Sequence, residues 1–306
     1  AVSLLNDSNR IRGVFTAIAG TNGVVTLRRA NGTFTNFFGA TDTARGAALL
    51  AALKAAGSGD VVHLGPGVFD LAGGNATLRT NVSLIGQGRG QTIIVNVTKS
   101  YCLLKLTRNN TISSVTLSNS TANGNYLGVR NITGDYGRMV FDDVAIYGYS
   151  DGMTLFGTGS VEMRHSYVYG SSNSLSFTGD KLTIALYDSV FECVGPGRSL
   201  GIGSDSHPVA YNIRAIIKDC VFKKSGGASS ASSAFFFAGA GRASLFNCTW
   251  EVDDGSFHVM RRGYGTVTLD AACNFDAEKV SGLVVRAKSY GHSPSEGFLQ
   301  LMRDGV

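Results

Sequence analysis

Short runs in which apolar and polar residues alternate recur along most of the chain, as in Asp60-Val-Val-His-Leu, Ser160-Val-Glu-Met-Arg, Leu182-Thr-Ile-Ala-Leu, Ile213-Arg-Ala-Ile-Ile and Ala243-Ser-Leu-Phe. A period of two predicts half-buried strands. In the second half of the chain each such run leads into a second short strand: Asp143-Val-Ala-Ile, Ser166-Tyr-Val-Tyr, Ser189-Val-Phe-Glu, Cys220-Val-Phe-Lys, Cys248-Thr-Trp-Glu and Cys273-Asn-Phe-Asp. The first residues of these second strands are separated by 23, 23, 31, 28 and 25 positions. A turn rich in Gly and Ser usually follows, then a third strand, as in Gly152-Met-Thr-Leu, Ser174-Leu-Ser-Phe, Ser199-Leu-Gly-Ile and Ala234-Phe-Phe-Phe. Three strands per period make one coil of a parallel β-helix, and unequal spacing is what insertions between stacked strands produce. Stacking predicts an inward ladder of Cys220, Cys248 and Cys273 behind Ser166 and Ser189.

A different pattern opens the chain. Thr43 to Ala56 reads as the one convincing helix, with Thr41 and Asp42 as cap candidates and Gly57 as its end. Placed before the first coil, it would plug the open end and hide unpaired strand edges. Residues 1–38 fit neither helix nor coil. They hold strand-like pieces, Val14 to Ile18 and Val24 to Leu27, around the turn Thr21-Asn-Gly. The expected organisation is a leader or attachment segment over 1–38 and a β-helix over 39–306.

Composition narrows the picture. Glycine (40 residues) greatly outnumbers proline (4), which suits many tight turns, and only 16% of residues are charged, too few for a disordered chain. A formal charge of +5 with a pI near 9.0 favours anionic partners, but the basic residues are scattered, which speaks against nucleic acid. No stretch approaches the roughly 18 apolar residues of a membrane span. Ala1 to Arg10 lacks the marks of a secretory signal, so a signal was either removed or never present. Five cysteines, odd in number and without a CxxC pair, predict neither a disulfide framework nor a zinc site. They are expected as small, reduced core residues. Asn-x-Ser/Thr sequons at Asn6, Asn31, Asn75, Asn81, Asn96, Asn109, Asn119, Asn131 and Asn247 read either as glycosylation sites or as a by-product of polar turns.

Gly39-Ala-Thr-Asp-Thr-Ala-Arg-Gly-Ala-Ala-Leu-Leu, followed by Gly59-Asp-Val-Val-His-Leu-Gly-Pro-Gly-Val-Phe-Asp-Leu and Val82-Ser-Leu-Ile-Gly-Gln-Gly-Arg, resembles the start of the pectate-lyase-like β-helix superfamily. Polysaccharide lyases, glycoside hydrolases and phage tailspikes and fibres belong to it. The resemblance covers residues 39 to 95 and implies an all-β, right-handed parallel β-helix with an N-terminal capping helix. It also implies a polysaccharide or cell-surface glycan as partner, with an extracellular or virion-surface location. For appendage members it further implies a homotrimer or larger assembly. Gly148-Tyr-Ser-Asp-Gly resembles a faded polygalacturonase motif. Asp151 matches that pattern's first aspartate, while Ser172-Asn-Ser and Pro196 stand where its other acids and its histidine would fall.

Cleaving a glycan on such a scaffold needs paired carboxylates, or an acidic calcium cluster with an Arg or Lys base. No cofactor or resident metal is expected, with calcium entering only for a lyase. Asp142, Asp143, Asp151, Asp180 and Asp188 do not recur at one repeat position, whereas Asp188 and Asp219 align. The alternative catalytic constellation is Asp205 and His207 on the longest inter-coil insertion, with Arg198 and Glu192 nearby, or else that loop is a polar surface. His258 with Arg261 and Arg262 makes a candidate cationic patch, while His165 and His63 read as satisfied residues of the stack. Tyr147, Tyr149, Tyr167 and Tyr169 present either outward sugar platforms or an internal aromatic stack. Phe235-Phe-Phe cannot all point inward, so at least one ring must be exposed, covered by a loop or buried in a subunit interface. The expected function is a phage- or virion-type surface appendage recognising an extracellular polysaccharide. The alternative is a secreted polysaccharide-degrading enzyme.

Overall fold

The computed structural model describes residues 23–98, 101–119, 127–204, 211–226, 233–252, 258–262, 266–270 and 272–274. A hairpin of β1 (Val24–Arg28) and β2 (Phe34–Phe38) precedes helix α1 (Asp42–Ala55). The coils then follow one another. The first is β3 (Val61–Leu64), β4 (Gly67–Asp70) and β5 (Ala76–Leu78), and the second β6 (Ser83–Ile85), β7 (Thr92–Asn96) and β8 (Cys102–Leu106). In the next two coils a single long strand turns the first corner: β9 (Thr111–Asn119) with β10 (Leu127–Asn131), then β11 (Asp135–Gly148) with β12 (Asp151–Phe156). Next come β13 (Thr158–Arg164), β14 (Tyr167–Gly170) and β15 (Asn173–Thr178), then β16 (Leu182–Tyr187), β17 (Val190–Cys193) and β18 (Arg198–Gly203). The last coils are β19 (Ile213–Lys218), β20 (Val221–Lys224) and β21 (Ser233–Ala238), then β22 (Arg242–Phe246), β23 (Thr249–Val252) and β24 (His258–Arg262). β25 (Thr266–Leu269) begins one more coil.

Every strand from β3 onward pairs in parallel with its equivalent in the adjoining coil, giving three faces that run along one axis. The first carries β3, β6, β13, β16, β19, β22 and β25 with the leading halves of β9 and β11. The second carries β4, β7, β14, β17, β20 and β23 with their trailing halves. The third is the eight-stranded sheet from β5 to β24. The chain is therefore a parallel β-helix, as the repeat predicts. Its core is a continuous column of buried apolar side chains, including the rings of Phe191, Phe222 and Trp250, whose centroids lie 5.9 and 5.1 Å apart from coil to coil.

The corner between the first and second faces shows how the sequence encodes the bend. Ser114, Asp143, His165, Asp188, Asp219 and Asn247 occupy one position of successive coils, all with positive φ, from 46 to 56°. Asp, Asn and His tolerate this left-handed conformation better than most residues. The next residue points inward and gives the column Val115, Val144, Ser166, Ser189, Cys220, Cys248 and Cys273. The register Tyr167↔Val190, Val190↔Val221, Val221↔Thr249 and Thr249↔Asn274 fixes it. The predicted Ser/Cys ladder exists. Two details of the sequence reading need correction: Val144, not Asp143, stacks on Ser166, because Ala145 pairs with Tyr167, and Asp143, Asp188 and Asp219 do share a repeat position. Within the ladder the Ser166 amide donates to Ser189 Oγ (3.1 Å) and the Val144 amide to Ser166 Oγ (3.2 Å).

At the start of the stack, Thr41 caps α1 by accepting from the Ala44 amide, and Asp42 lies in the first turn. The helix ends at Ala56, whose backbone is extended (φ −64°, ψ 137°), so Gly57 is not the left-handed terminator expected of it. Ala48, Leu49, Ala52 and Leu53 are buried over the first coil. Gly46 allows the close approach: a Cβ there would sit 1.8 Å from the Asp70 carbonyl oxygen. β1 pairs antiparallel with β3 and occupies that strand's free edge. Its other partner is β2, closed through Asn31-Gly32, while the earlier strand-like piece, 14–18, lies outside the described residues.

Candidate functional site

Asp151 opens β12 at the corner where the second face turns into the third. Asn173 pairs with it one coil on, and Arg198 holds the equivalent position in the coil after that. Sharp turning here requires glycine: a Cβ on Gly148 or Gly170 would lie 1.8 Å from the carbonyl oxygen of Asp151 or Asn173. Asp151 Oδ1 accepts from the Asn173 amide at 3.0 Å and from Asn173 Nδ2 at 2.9 Å. Asn173 Oδ1 in turn accepts from the Arg198 amide at 3.1 Å. Burial pushes the Asp151 carboxyl above the usual aspartate value, against the opposing pull of the Asn173 donors. Two of the residues singled out from sequence, Asp151 and Arg198, thus belong to one hydrogen-bonded column. The residue that links them, Asn173, aligns with the amide-bearing Ser-Asn-Ser of the faded motif.

Arg198 does not point away into solvent. Its guanidinium carbon lies 3.7 Å from the centroid of the Phe236 ring, and its stem runs over Gly201, where a Cβ would come within 3.2 Å of Arg198 Cδ. A flat cation on an aromatic face is a favourable stack. The Phe235-Phe-Phe run is accommodated otherwise than expected: Phe235 packs against Phe222 inside (5.7 Å), while Phe236 is neither exposed nor, among the described residues, covered by a loop but fully buried beneath the arginine side chain. Further toward the N-terminal end of the same face, Arg130 lies between the rings of Tyr101 and Phe156, 5.6 and 5.2 Å from their centroids. Nothing in the sequence pattern pointed to Arg130 or Tyr101, because only stacking brings residues so far apart in sequence together.

On the second face, Tyr147, Tyr167 and Tyr169 point outward. Their rings cluster, Tyr147 lying 5.4 Å from Tyr167 and 6.2 Å from Tyr169. Tyr147 is 39% exposed, and Tyr149, just past the strand in the corner, 42%. Tyr167 donates its hydroxyl to Glu192 Oε2 at 2.7 Å, and burial together with that carboxylate pushes its phenol well above the ordinary tyrosine value. Tyr147, Tyr169, Glu192, Lys223 and Glu251 form one outward row on successive coils, closed by a Lys223–Glu251 ion pair of 2.8 Å. The internal aromatic stack is built from other residues, the Phe191–Phe222–Trp250 series.

The second-to-third corner is lined inside by side chains that satisfy backbone carbonyls. Asn96 Nδ2 donates to the Gly74 carbonyl, Asn119 Nδ2 to that of Leu127, and Lys224 Nζ to those of Gly195, Ser225 and Gly226. Asn131 at the other end of the third face donates to Thr133 and Phe156. These asparagines are buried sequon residues, so their sequons reflect packing. His165 sits at the first corner with Nδ1 2.9 Å from Asp142 Oδ1, a satisfied surface residue. Burial, with Arg28 adding to it, pushes the His63 imidazole down to about 4. Burial likewise pushes the Cys102 and Cys220 thiols up to about 11 and 12.

Asp205 and His207 lie outside the described residues. His258, Arg261 and Arg262 belong to β24, where they pair with Ser233, Phe236 and Phe237, so His258 extends the row of Asp151, Asn173 and Arg198 by backbone register. Among the described residues no group of three His, Cys, Asp or Glu side chains is placed to hold a metal ion, and no helix is long and apolar enough to cross a membrane.

The coil stack, with its outward aromatic and charged rows, defines a parallel β-helix protein. No family model matches the sequence, and no curated protein does. Solved structures do resemble it. Pectin methylesterase PemA from Erwinia chrysanthemi is 13% identical with a TM-score of 0.47, over 74% of this chain and 88% of that one. Pectin methylesterase from Yersinia enterocolitica is 14% identical with a TM-score of 0.49, over 75% and 94%. ORF18 of Geobacillus virus E2 is 12% identical with a TM-score of 0.41, over 88% and 62%.

Proposed function

We propose that this chain is a surface appendage of the phage or virion type whose β-helix recognises an extracellular polysaccharide along its side. The observation that carries the reading is the outward row on the second face. Three clustered tyrosines continue into Glu192, Lys223 and Glu251, and successive positions along the axis are about 4.8 Å apart. An aromatic platform followed by hydrogen-bonding charges suits an extended ligand of stacked apolar faces and hydroxyls. The Asp151 column supports binding over hydrolysis, because an amide, Asn173, stands one coil on, where the resembled polygalacturonase pattern has its further acids.

The test is retention of a panel of neutral and acidic polysaccharides in affinity electrophoresis, with released reducing ends and unsaturated products measured on the same samples. Retention without release is expected. Tyr147→Ala and Tyr169→Ala should each weaken retention by about 1 kcal/mol, roughly fivefold. The enzyme reading has one specific support, the buried Asp151 carboxyl, raised above its usual value, with Arg198 two coils away in the same column. Product release that disappears in Asp151→Asn would establish it instead. Sedimentation equilibrium addresses assembly: a trimer is expected, and a strict monomer would remove the fibre role.

A further inference from the structure

The outer side of the first face changes character along the axis. In its middle coils the outward cations are neutralised: Arg138 and Arg164 both bond Glu162, at 2.7 and 2.8 Å. In the later coils Arg214 and Arg242 are direct register partners. Both are exposed, and no ion pair forms at either among the described residues. Like charges directly opposite on neighbouring strands destabilise a sheet. Asp180, one coil earlier, accepts from the Asn212 backbone amide at 2.7 Å. The two guanidinium groups border a groove of about 570 Å³ lined also by Asn212, Ile216, Ser244 and Thr266. Ile216 is half exposed at its side.

We propose that this groove is an oxyanion-binding site, taking a sulfate or carboxylate group carried on an extended polymer. Two guanidinium forks one coil apart match the oxygens of such a group in a way a pair of lysines would not. The side-chain carboxamide of Asn212 and the hydroxyls of Ser244 and Thr266 supply neutral hydrogen bonds around it, and Ile216 offers an apolar edge to the polymer backbone. Bound anion also removes the repulsion that the pair otherwise carries. The site lies on a different face from the tyrosine row, so neither depends on the other.

The test compares binding of dextran sulfate, a polyuronate and uncharged dextran by the full chain at low and high salt. Tighter binding of at least one polyanion than of dextran is expected, weakening as salt rises. Arg214→Ser/Arg242→Ser should lose that binding tenfold or more. Arg214→Lys/Arg242→Lys should lose a substantial part of it, and Lys54→Ser/Arg108→Ser, which removes the same charge elsewhere, should change it less than twofold. Equal binding of dextran, an unaltered affinity in the double serine variant, or an equal loss in the Lys54/Arg108 control would overturn the proposal. Thermal unfolding of the double serine variant at or above the wild-type midpoint would show that lost binding is not lost folding.

Discussion

At the scale of single residues, conformation and burial decide more than side-chain identity. Asp188 holds φ 46°, where glycine is unstrained and a β-branched residue is not. Asp188→Gly should therefore unfold within about 0.5 kcal/mol of the parent, and Asp188→Val should lose about 1–2 kcal/mol, read from urea midpoints. Asp60 is a different case, only 4% exposed. It accepts from the amides of Ala30 and Gly57, both at 2.8 Å, and from Arg29 Nη1 at 3.0 Å, tying the hairpin to the end of α1. Burial alone would raise its carboxyl, but these donors outweigh it and hold it below the usual value. A folded value below the unfolded one means the stabilisation is present above the unfolded pKa and is lost as pH falls through the folded one. Asp60→Ala should cost about 2–4 kcal/mol at pH 7 and progressively less in acid, checked by unfolding at several pH values.

At the scale of elements, the corners and the core column carry the fold. Phe222 touches Phe191, Trp250 and Phe235, so it joins neighbouring coils and two faces. Phe222→Ala should cost about 3–5 kcal/mol, whereas Phe222→Leu, which keeps most of the volume, should cost less, both read from thermal or denaturant midpoints. Alternating patterns made the strands legible, because inward and outward positions really do alternate in Leu182–Tyr187 and Ile213–Lys218. The one-residue slip at Asp143 arose because sequence pattern does not distinguish the left-handed corner residue from the first inward one. Both are polar at Asp188-Ser189 and His165-Ser166. The helix was equally readable from its cap, but its end was not, since an extended Ala56 stops it without a left-handed glycine.

At the scale of the whole molecule, stability passes from coil to coil, since each coil buries its interior only against its neighbours. The first coil is covered by α1, and the edge of β3 is taken by β1. Removing residues 1–60 should leave a chain that self-associates at micromolar concentration, measured by light scattering, while the full chain stays dispersed. A truncated chain that remains monodisperse would show that the cap is dispensable for solubility.

The repeat, the strand types, the capping helix and the inward Ser/Cys ladder were determined by the sequence, because each follows from a local period or a local turn preference. Only the tertiary structure decided which outward residues are neighbours. Asp151, Asn173 and Arg198 meet, Arg198 covers Phe236, and Arg214 faces Arg242, through stacking of residues separated by a whole coil. The insertions that set those separations vary in length, so register across coils is fixed by the packed core and not by counting along the chain.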